Sequence, residues 1–560
     1  MKHRTVERII TWVLVATAAC SHDTTAPSAP PTCGSALASP LTLVIGAYAA
    51  IDPASDGGCV TFPANASTVD SAEYLLVPQS AAGTFGESSP FQLRTATLAA
   101  TAMPAQRPAA PASPRDAATR FDGMLRALGH TRSFAAATAM RSAPAAAAQR
   151  ALVAPAPPVV GSVRTFAVCN SLDCSTFKTV GARARAVGAH VAIYIDTLAP
   201  AGGLDSTHLD TLRQVFDTLL YPLDTATFGA VSDLDANGVV IALMTPVVNA
   251  LVTKTACGSS GFIAGFFYPG DLDLSAPSSS SNHGEIFYSI VADPTATLSC
   301  AHTSGEVDSI TPGTFVHEFQ HMINFAGHVL LRPGTASEEG WLDEGLSKYA
   351  EELAGRKYLA LTPPDNGTFS LYAFNDVDDA YKYLSATGAS PLLIEFDQGT
   401  LAEVGASWLF TRYLVDQYGA GLPGKLVQTT LAGAANVAAQ TGHSFDTTVT
   451  RWALANWVSD LPPFIAPAEL TYSSWHFRTR TFASLNQQDP QHFPLPYPLV
   501  PTASAGSAVS LSGTLRSGSG VYGRALQAPG AAAFTLFFNG GGNAALPAAV
   551  VPRLNVIRIR

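Results

Sequence analysis

The pattern of apolar and polar positions changes along the chain, and each change predicts a different kind of structure. Over 37–96 and again over 466–560, short apolar stretches alternate with turns rich in Gly, Pro, Asp and Ser, a pattern typical of β-rich domains. Over 161–465, apolar runs of strand length give way to helical spacing, which predicts an α+β unit with a helical C-terminal half. The chain is therefore predicted to be multidomain, with β-rich, sandwich-like N- and C-terminal domains flanking a central domain.

Four elements of the central domain follow from the pattern alone. Runs of apolar residues predict strands at 164–168, 190–196 and 239–244. Apolar residues at helical spacing predict a helix over 207–220.

Residues 97–160 are rich in Ala and Pro, which predicts a linker or a pro-like segment. Inside it, Phe121, Leu125 and Leu128 fall at helical spacing, and this predicts one helix over 117–128. Two interpretations of the segment are open, an autoinhibitory prosegment and a solvated spacer. The composition favours the spacer.

The first twenty residues have the pattern of a secretory signal. Lys2 and Arg8 precede an apolar run at 9–19, which is too short to span a bilayer as a helix. The last four residues, ending in Cys20, resemble the lipobox of bacterial lipoproteins, in which the cysteine is lipidated. An ordinary signal peptide cleaved in the same region is the alternative. The Pro-containing stretch at 21–36 is expected to be a linker.

Composition narrows the range of partners. The chain is 47% hydrophobic and 13% charged, with a formal net charge of −10. Such a composition excludes wholesale disorder and lacks the basic patch that nucleic acids or anionic membranes require. The signal-like N-terminus leads us to expect export to the bacterial cell envelope, either lipid-anchored at the outer membrane or cell surface, or secreted. Membrane contact is expected only through an N-terminal lipid, and no oligomeric state is predicted.

Six cysteines remain besides Cys20, and an even number in an exported chain favours disulfide bonds. Free thiols or a metal cluster are the competing interpretations, although the spacing fits no zinc-finger pattern. Six cysteines allow fifteen possible pairings. Neighbours in sequence order suggest three pairs: Cys33 with Cys59, Cys169 with Cys174, and Cys257 with Cys300.

The segment with the clearest chemistry is a His-Glu-x-x-His string formed by His317, Glu318 and His321. Thr311 as an N-cap and Pro312 at the first helical position predict a helix that begins just before it. Residues four apart lie on the same face of a helix, so both imidazoles can bind one metal ion. The glutamate between them can hold a water molecule beside that metal.

A hydrolytic zinc site keeps three protein ligands and one open position, so a third ligand is required. Apolar residues at helical spacing predict a second helix over 341–353, ended by Gly355. Glu344 lies beside this apolar stripe, where a carboxylate can point toward a neighbouring helix. Glu339 and His328 are the rival ligands. The remaining acidic residues of the region, Glu338, Glu351 and Glu352, are expected to be solvated charges.

The string from Trp341 to Gly345, Trp-Leu-Asp-Glu-Gly, resembles the Trp-Leu-Asn-Glu-Gly string of gluzincin metallopeptidases. With the upstream histidines, the region is most similar to the hyicolysin-like neutral peptidases. The resemblance implies an α+β, zincin-like catalytic domain that acts on protein or peptide substrates. It also implies one catalytic zinc ion bound by His317, His321 and Glu344, with Glu318 as general base. Asp343 departs from the family pattern, which has asparagine there.

The resemblance leads us to expect an exported zinc-dependent endopeptidase. A gluzincin aminopeptidase is the nearest alternative, although the Gly-x-Met-Glu-Asn string of those enzymes is absent. A non-catalytic surface binding or adhesion protein on the same scaffold is the other. Tyr381 and Tyr383 follow the second helix and are candidates to stabilise the oxyanion, but ordinary core packing is the favoured interpretation of both.

A second candidate cation site lies in the stretch that contains Asp233, Asp235 and Asn237. Oxygen ligands at alternate positions before a glycine are typical of a tight calcium loop. The twelfth position of an EF-hand is Met244 rather than glutamate, so an EF-hand is excluded. Either a calcium loop of another kind or a simple turn before the next strand fits these residues.

Overall fold

The computed structural model describes residues 40–55, 57–96, 117–142, 156–332, 334, 336–394 and 399–560. The predicted signal, the lipidation residue Cys20, the linker at 21–36 and Cys33 lie outside these residues. None of the helices described combines the length and the hydropathy of a transmembrane span.

The described chain contains fifteen strands and thirteen α-helices. The strands are β1 (Tyr48–Ile51), β2 (Cys59–Phe62), β3 (Ala72–Ser80), β4 (Ser88–Thr95), β5 (Val163–Cys169), β6 (Phe177–Val187), β7 (Val191–Asp196), β8 (Val240–Met244), β9 (Gly265–Phe267), β10 (Ile286–Ser289), β11 (Thr502–Ala505), β12 (Ser510–Arg516), β13 (Gly523–Gln527), β14 (Phe534–Gly540) and β15 (Pro552–Arg558). The helices are α1 (Ala117–Ser142), α2 (Ser206–Val215), α3 (Tyr221–Thr227), α4 (Pro246–Asn249), α5 (Lys254–Ser260), α6 (Ser304–Phe325), α7 (Gly340–Leu359), α8 (Asn366–Ser385), α9 (Leu401–Tyr418), α10 (Leu422–Val427), α11 (Gly433–Thr441), α12 (Phe445–Val458) and α13 (Phe482–Gln488).

The two β-rich segments form a single sandwich. One sheet has the order β1-β15-β3-β13-β11 and the other has the order β12-β4-β14-β2. The rings of Phe62 and Phe534 stack at 4.6 Å within the second sheet, and the Phe62 ring packs against Tyr74 of the first sheet at 4.8 Å. The prediction of separate N- and C-terminal β-rich domains differs from this arrangement. Each segment alone would leave unpaired strand edges and an exposed apolar face, and pairing the two segments removes most of both.

The predicted start of the C-terminal β-rich segment at 466 also differs from the structure. Its first strand begins at Thr502. The preceding residues include α13, and Phe482 and Phe493 are buried against the ring of Tyr381 on α8. Apolar residues there extend the core of the helical region instead of forming strands.

A six-stranded sheet in the order β5-β6-β7-β8-β10-β9 forms one half of the central region. Strands β7, β8 and β10 are parallel to one another, whereas the edge strand β9 is antiparallel to β10. The three predicted strands are confirmed as β5, β7 and β8, and the predicted helix is α2 with a π-helical turn, Phe216–Leu220, that continues it. Both β8 and β10 are wholly buried because elements cover both faces of the sheet.

Helix α6 carries the His-Glu-x-x-His string and begins earlier than predicted. It starts at Ser304, with the side chain of Thr303 accepting a hydrogen bond from the Glu306 N–H. Pro312 lies inside the helix, so the prediction that Thr311 and Pro312 start it is wrong. A helix can pass through proline at the loss of one backbone hydrogen bond when its other residues are well packed. The Thr-x-x-Glu string was the true start signal.

Helix α7 continues past Gly355 and ends at Leu359. The prediction that Gly355 ends it is therefore wrong. A Cβ atom at this glycine would lie 3.1 Å from the ring of Phe369 and 3.2 Å from the Cβ of Tyr372. The glycine thus allows α7 and α8 to approach closely.

Helix α1 lies in the Ala/Pro-rich region and is not a solvated spacer. Phe121 and Leu125 are buried, and the Phe121 ring meets the edge of the Phe266 ring on β9 at 5.0 Å. Further along, the Ser133 hydroxyl accepts a hydrogen bond from the Ser337 N–H. The helix is longer than predicted and packs against the elements that carry the candidate site.

Two of the three predicted disulfide bonds are present. Cys169–Cys174 closes the turn between β5 and β6, and Cys257–Cys300 ties α5 to the segment before α6. The pairing of Cys59 with Cys33 stays a prediction because Cys33 lies outside the described residues.

The shared sandwich predicts that both ends of the chain unfold together. We expect Phe62→Ala to lower the free energy of unfolding of the sandwich by about 3–5 kcal/mol, because a fully buried ring is lost. Hydrogen exchange should show amides of β14 and β15 losing protection along with β2. The half-exposed Phe85→Ala serves as the control. Loss of protection confined to β1–β4 would contradict the shared sandwich.

Candidate metal centre

Helices α6 and α7 bring together three side chains that could bind a metal ion. The Nε2 atoms of His317 and His321 lie 3.1 Å apart. Glu344 Oε2 lies 3.5 Å from His317 Nε2, and Glu344 Oε1 lies 3.5 Å from His321 Nε2. All three ligand atoms are within 4.8 Å of one another. The third group predicted from sequence is thus brought to the two histidines.

The chemistry of these three side chains fits a zinc ion. The outer nitrogen of each imidazole is held by a carboxylate: His317 Nδ1 by Glu351 Oε1 at 2.7 Å and His321 Nδ1 by Asp343 Oδ1 at 3.0 Å. Because carboxylates only accept, each Nδ1 carries a proton, and Nε2 is the nitrogen that each ring can offer to a metal ion. Glu344 Oε1 is buried and has no hydrogen-bond partner in the described part of the chain. Two imidazole nitrogens and an unsatisfied carboxylate oxygen form a typical zinc ligand set.

The histidines and carboxylates of the cluster change one another's pKa values. Burial alone would lower the pKa of His317, but hydrogen bonds to Glu344 and Glu351 outweigh it and raise that pKa well above its usual range. Burial opposes ionisation of Glu344, yet the neighbouring His321 and His317 lower the pKa of its carboxyl. The cluster therefore holds positive charge between carboxylates, and a metal cation can take the place of that charge.

The Glu351 carboxylate is the hub of a further chain of contacts. Lys348 Nζ lies 3.3 Å from Glu351 Oε1 and 3.4 Å from Asp376 Oδ1 on α8. Burial would lower the pKa of Lys348, but Glu351 and Asp376 raise it, so the amine stays charged. Glu351 lies seven residues after Glu344, on the same face of α7, and this spacing was the signal available in the sequence.

The prediction of solvated charges is wrong for all three glutamates concerned. Glu351 orients His317, as described above. Glu352 is fully buried, where it accepts hydrogen bonds from Arg412 and from the Trp475 indole. Glu338 is buried at the N-terminal end of α11 and accepts from the Gly433 N–H. Tertiary partners, which helical spacing does not reveal, hold each one.

Asp343 orients His321 in the same way that Glu351 orients His317. The Asp343 Oδ1 atom also accepts a hydrogen bond from Asn324 on α6. Its Oδ2 lies 3.5 Å from Arg126 Nη1 on α1. Burial would raise the pKa of Asp343, but His321 and Arg126 outweigh it and lower that pKa. The sequence pattern marked Asp343 only as a departure from asparagine and gave no sign of Arg126.

Glu318 is held by the edge strand of the sheet. The Phe267 N–H on β9 donates to Glu318 Oε2 at 2.8 Å. Glu318 lines a cavity of about 500 Å³ together with His317 and Glu344. Other elements contribute further lining residues, among them Asp122, Arg126, Gly265, Asp378 and Lys382. The carboxylate therefore lies in one cavity with the three candidate ligands.

The rival ligands lie elsewhere. Glu339 precedes α7, and its Oε2 accepts a hydrogen bond from the Trp341 indole at 2.6 Å. His328 is fully buried in the π-helical turn after α6, where its Nε2 is 3.8 Å from Glu338 Oε2. Neither belongs to the group formed around His317 and His321.

The two predicted oxyanion stabilisers are core residues. The Tyr381 hydroxyl is bonded to the backbone of Leu495, and the Tyr383 ring stacks on Trp452 at 5.6 Å. Among the residues described, those that line the cavity include neither tyrosine. The packing interpretation fits both.

The predicted calcium residues form a partly different cluster. Asp233 and Asp235 meet the buried Glu285, which precedes β10. Asn237 is engaged instead in a turn, where its Oδ1 accepts from the Val239 N–H and its Nδ2 donates to Asp235. Asp235 also contacts Arg164 at 3.1 Å. A simple turn therefore accounts for Asn237, and calcium at the acidic pair stays a prediction.

Comparison with known proteins supports a relationship to metallopeptidases. Over 148 residues, the chain is 28% identical to the neutral metalloprotease ShpI of Staphylococcus hyicus. The match covers 26% of this chain and 31% of that protein, so it spans less than a third of either. No protein-family model matches the chain.

The buried Glu338 predicts a pH-dependent stability. Burial raises its pKa from 4.5 to about 8, so the folded protein holds a proton that the unfolded chain releases between these values. Stability from this group is therefore lost as the pH rises through about 8. We expect Glu338→Gln to gain in melting temperature relative to the parent between pH 5 and pH 9. Glu87→Gln, at a less buried position before β4, should show no such trend. A constant difference across this range would contradict the buried neutral carboxyl.

Proposed function

We propose that the protein is a zinc-dependent endopeptidase of the gluzincin type, with a zincin-like catalytic domain. The proposal rests on one observation: the ligand atoms of His317, His321 and Glu344 lie within 4.8 Å of one another, and Glu318 lines the same cavity. The partial similarity to a neutral metalloprotease supports the same activity. Its substrates are peptide bonds in proteins or peptides.

The proposed chemistry divides between the metal and the chain. When bound by His317, His321 and Glu344, zinc supplies Lewis acidity toward water and toward the scissile carbonyl. The Glu318 carboxylate takes a proton from the attacking water and returns it to the leaving amine. The Phe267 N–H holds Oε2 of this carboxylate in place, so Oε1 is the oxygen that would accept the proton.

The proposal extends to an exported enzyme. The disulfides Cys169–Cys174 and Cys257–Cys300 are bonds that persist in oxidising compartments. The N-terminal sequence has the features of a secretory signal. Lipidation of Cys20 stays a prediction.

Glu318→Gln tests the mechanism. We expect hydrolysis of an unstructured protein and of N-blocked peptides to fall by roughly 10²–10⁴-fold, because the general base is lost. Zinc content should be unchanged because Glu318 is outside the ligand group. Activity that survives the substitution contradicts the mechanism.

The choice of substrates in the same experiment separates the alternatives. Hydrolysis of unblocked peptides only would identify an aminopeptidase. A zinc-loaded parent that cleaves none of the substrates would favour a binding or adhesion protein.

The matched pair Glu344→Gln and Glu339→Gln tests the third ligand. We expect Glu344→Gln to weaken zinc affinity by more than the roughly 10–100-fold typical of a change outside the ligand set. Glu339→Gln should keep one zinc per chain, since its carboxylate is bonded to the Trp341 indole. Zinc-to-protein ratios after dialysis against a weak chelator provide the measurement. The opposite ranking would identify Glu339 as the ligand.

A further inference from the structure

We propose that Arg126 of helix α1 is a positioning residue for the metal centre, acting through Asp343 on His321. This inference rests on the proposed function, since it assigns a role toward the zinc site described above. It assigns a role in holding a metal ligand to a helix that the sequence pattern placed in a linker.

The contacts form a relay from α1 to the metal ligand. Arg126 Nη1 lies 3.5 Å from Asp343 Oδ2, and the other carboxylate oxygen lies 3.0 Å from His321 Nδ1. The side chains of Arg126 and Asp343 are only 5% and 10% exposed. Asp343 is therefore buried between a guanidinium and an imidazole, with one oxygen directed at each.

Burial makes the cation necessary. A buried carboxylate that loses a permanent counter-ion is strongly destabilised, and it relieves this by rotating toward other donors or toward water. Rotation of Asp343 lengthens or breaks the hydrogen bond that fixes the ring orientation of His321. Asparagine at 343 has the same shape without the charge and has no such requirement.

Arg126 is placed for its charge more than for its hydrogen bonds. Its Nε and Nη2 atoms are buried, and no hydrogen-bond partner for them is found among the described residues. Its guanidinium carbon lies 5.9 Å from the centre of the Phe267 ring, on the strand residue whose N–H holds Glu318. The cation thus lies between the support of His321 and the support of Glu318.

A second arginine on α1 separates positioning from helix docking. Arg132 Nη1 lies 3.3 Å from Asp273 Oδ2, and this ion pair also attaches α1 to the central region. It contacts none of the candidate ligands or their carboxylate partners. If α1 mattered only as packing, loss of either arginine would have a similar effect.

The test measures zinc affinity by competition with a fluorescent chelator, with thermal unfolding of each variant as the folding control. We expect Arg126→Met to weaken zinc binding by about 10–100-fold and Arg126→Lys to keep most of the affinity. Arg132→Met should change the affinity by less than about threefold. In an Asp343→Asn background, Arg126→Met should likewise lower the zinc affinity by less than about threefold, because the negative charge that Arg126 compensates is gone.

Three results would overturn the inference. These are an unchanged zinc affinity in Arg126→Met, an equal loss in Arg132→Met, or the same loss from Arg126→Met in both backgrounds. If Arg126→Met does not fold, recovery of a folded, zinc-binding protein in the double variant supports the charge pair, and failure of the double variant opposes it. If the parent protein binds no zinc, the proposed function itself is wrong. If the parent binds zinc but one of the three results above is found, only the proposed role of Arg126 is wrong.

Discussion

The structure around the candidate site depends on the compensation of charges buried between α6 and α7. Asp343, Glu344 and Glu351 lie on one helix, and such a concentration of carboxylates is unstable in a core unless cations face it. Two imidazoles from α6 meet them directly, and Lys348 and Arg126 supply permanent positive charge. Lys348 and Arg126 each hold a carboxylate that in turn orients a ring nitrogen. Electrostatic balance and ligand geometry are thus the same requirement.

This requirement recruits elements that are distant in sequence. Helix α8 contributes Asp376 beside Lys348, α1 contributes Arg126, and the edge strand β9 contributes the Phe267 N–H. The candidate metal centre is therefore not a property of two helices alone. Helices α1 and α8 act on the imidazoles indirectly, through Asp343 and Glu351, whereas β9 contacts Glu318 directly.

Local sequence patterns predicted the candidate ligands well, but they predicted poorly the residues that hold those ligands in place. Helical spacing was sufficient to place His317 and His321 on one face, and a five-residue string singled out Glu344. Glu351 was accessible to the same reasoning, as it lies on the face of Glu344. Arg126 was not, because its partner comes from a separate element, and the joined sandwich was missed since strand pairing between chain ends leaves no local trace. The start of α6 was predicted wrongly because Pro312 fits a first helical position, whereas the capping signal lies at Thr303.

The interleaved sandwich constrains the order of events during folding. Strand β3 lies between β15 and β13, and β4 lies between β12 and β14. All four neighbours of these two strands lie after residue 509, so neither strand can form its native pairing without that part of the chain. The central sheet, in contrast, contains no strand from either β-rich segment. Native pairing in the sandwich therefore depends on contacts between distant parts of the chain, whereas native pairing in the central sheet does not.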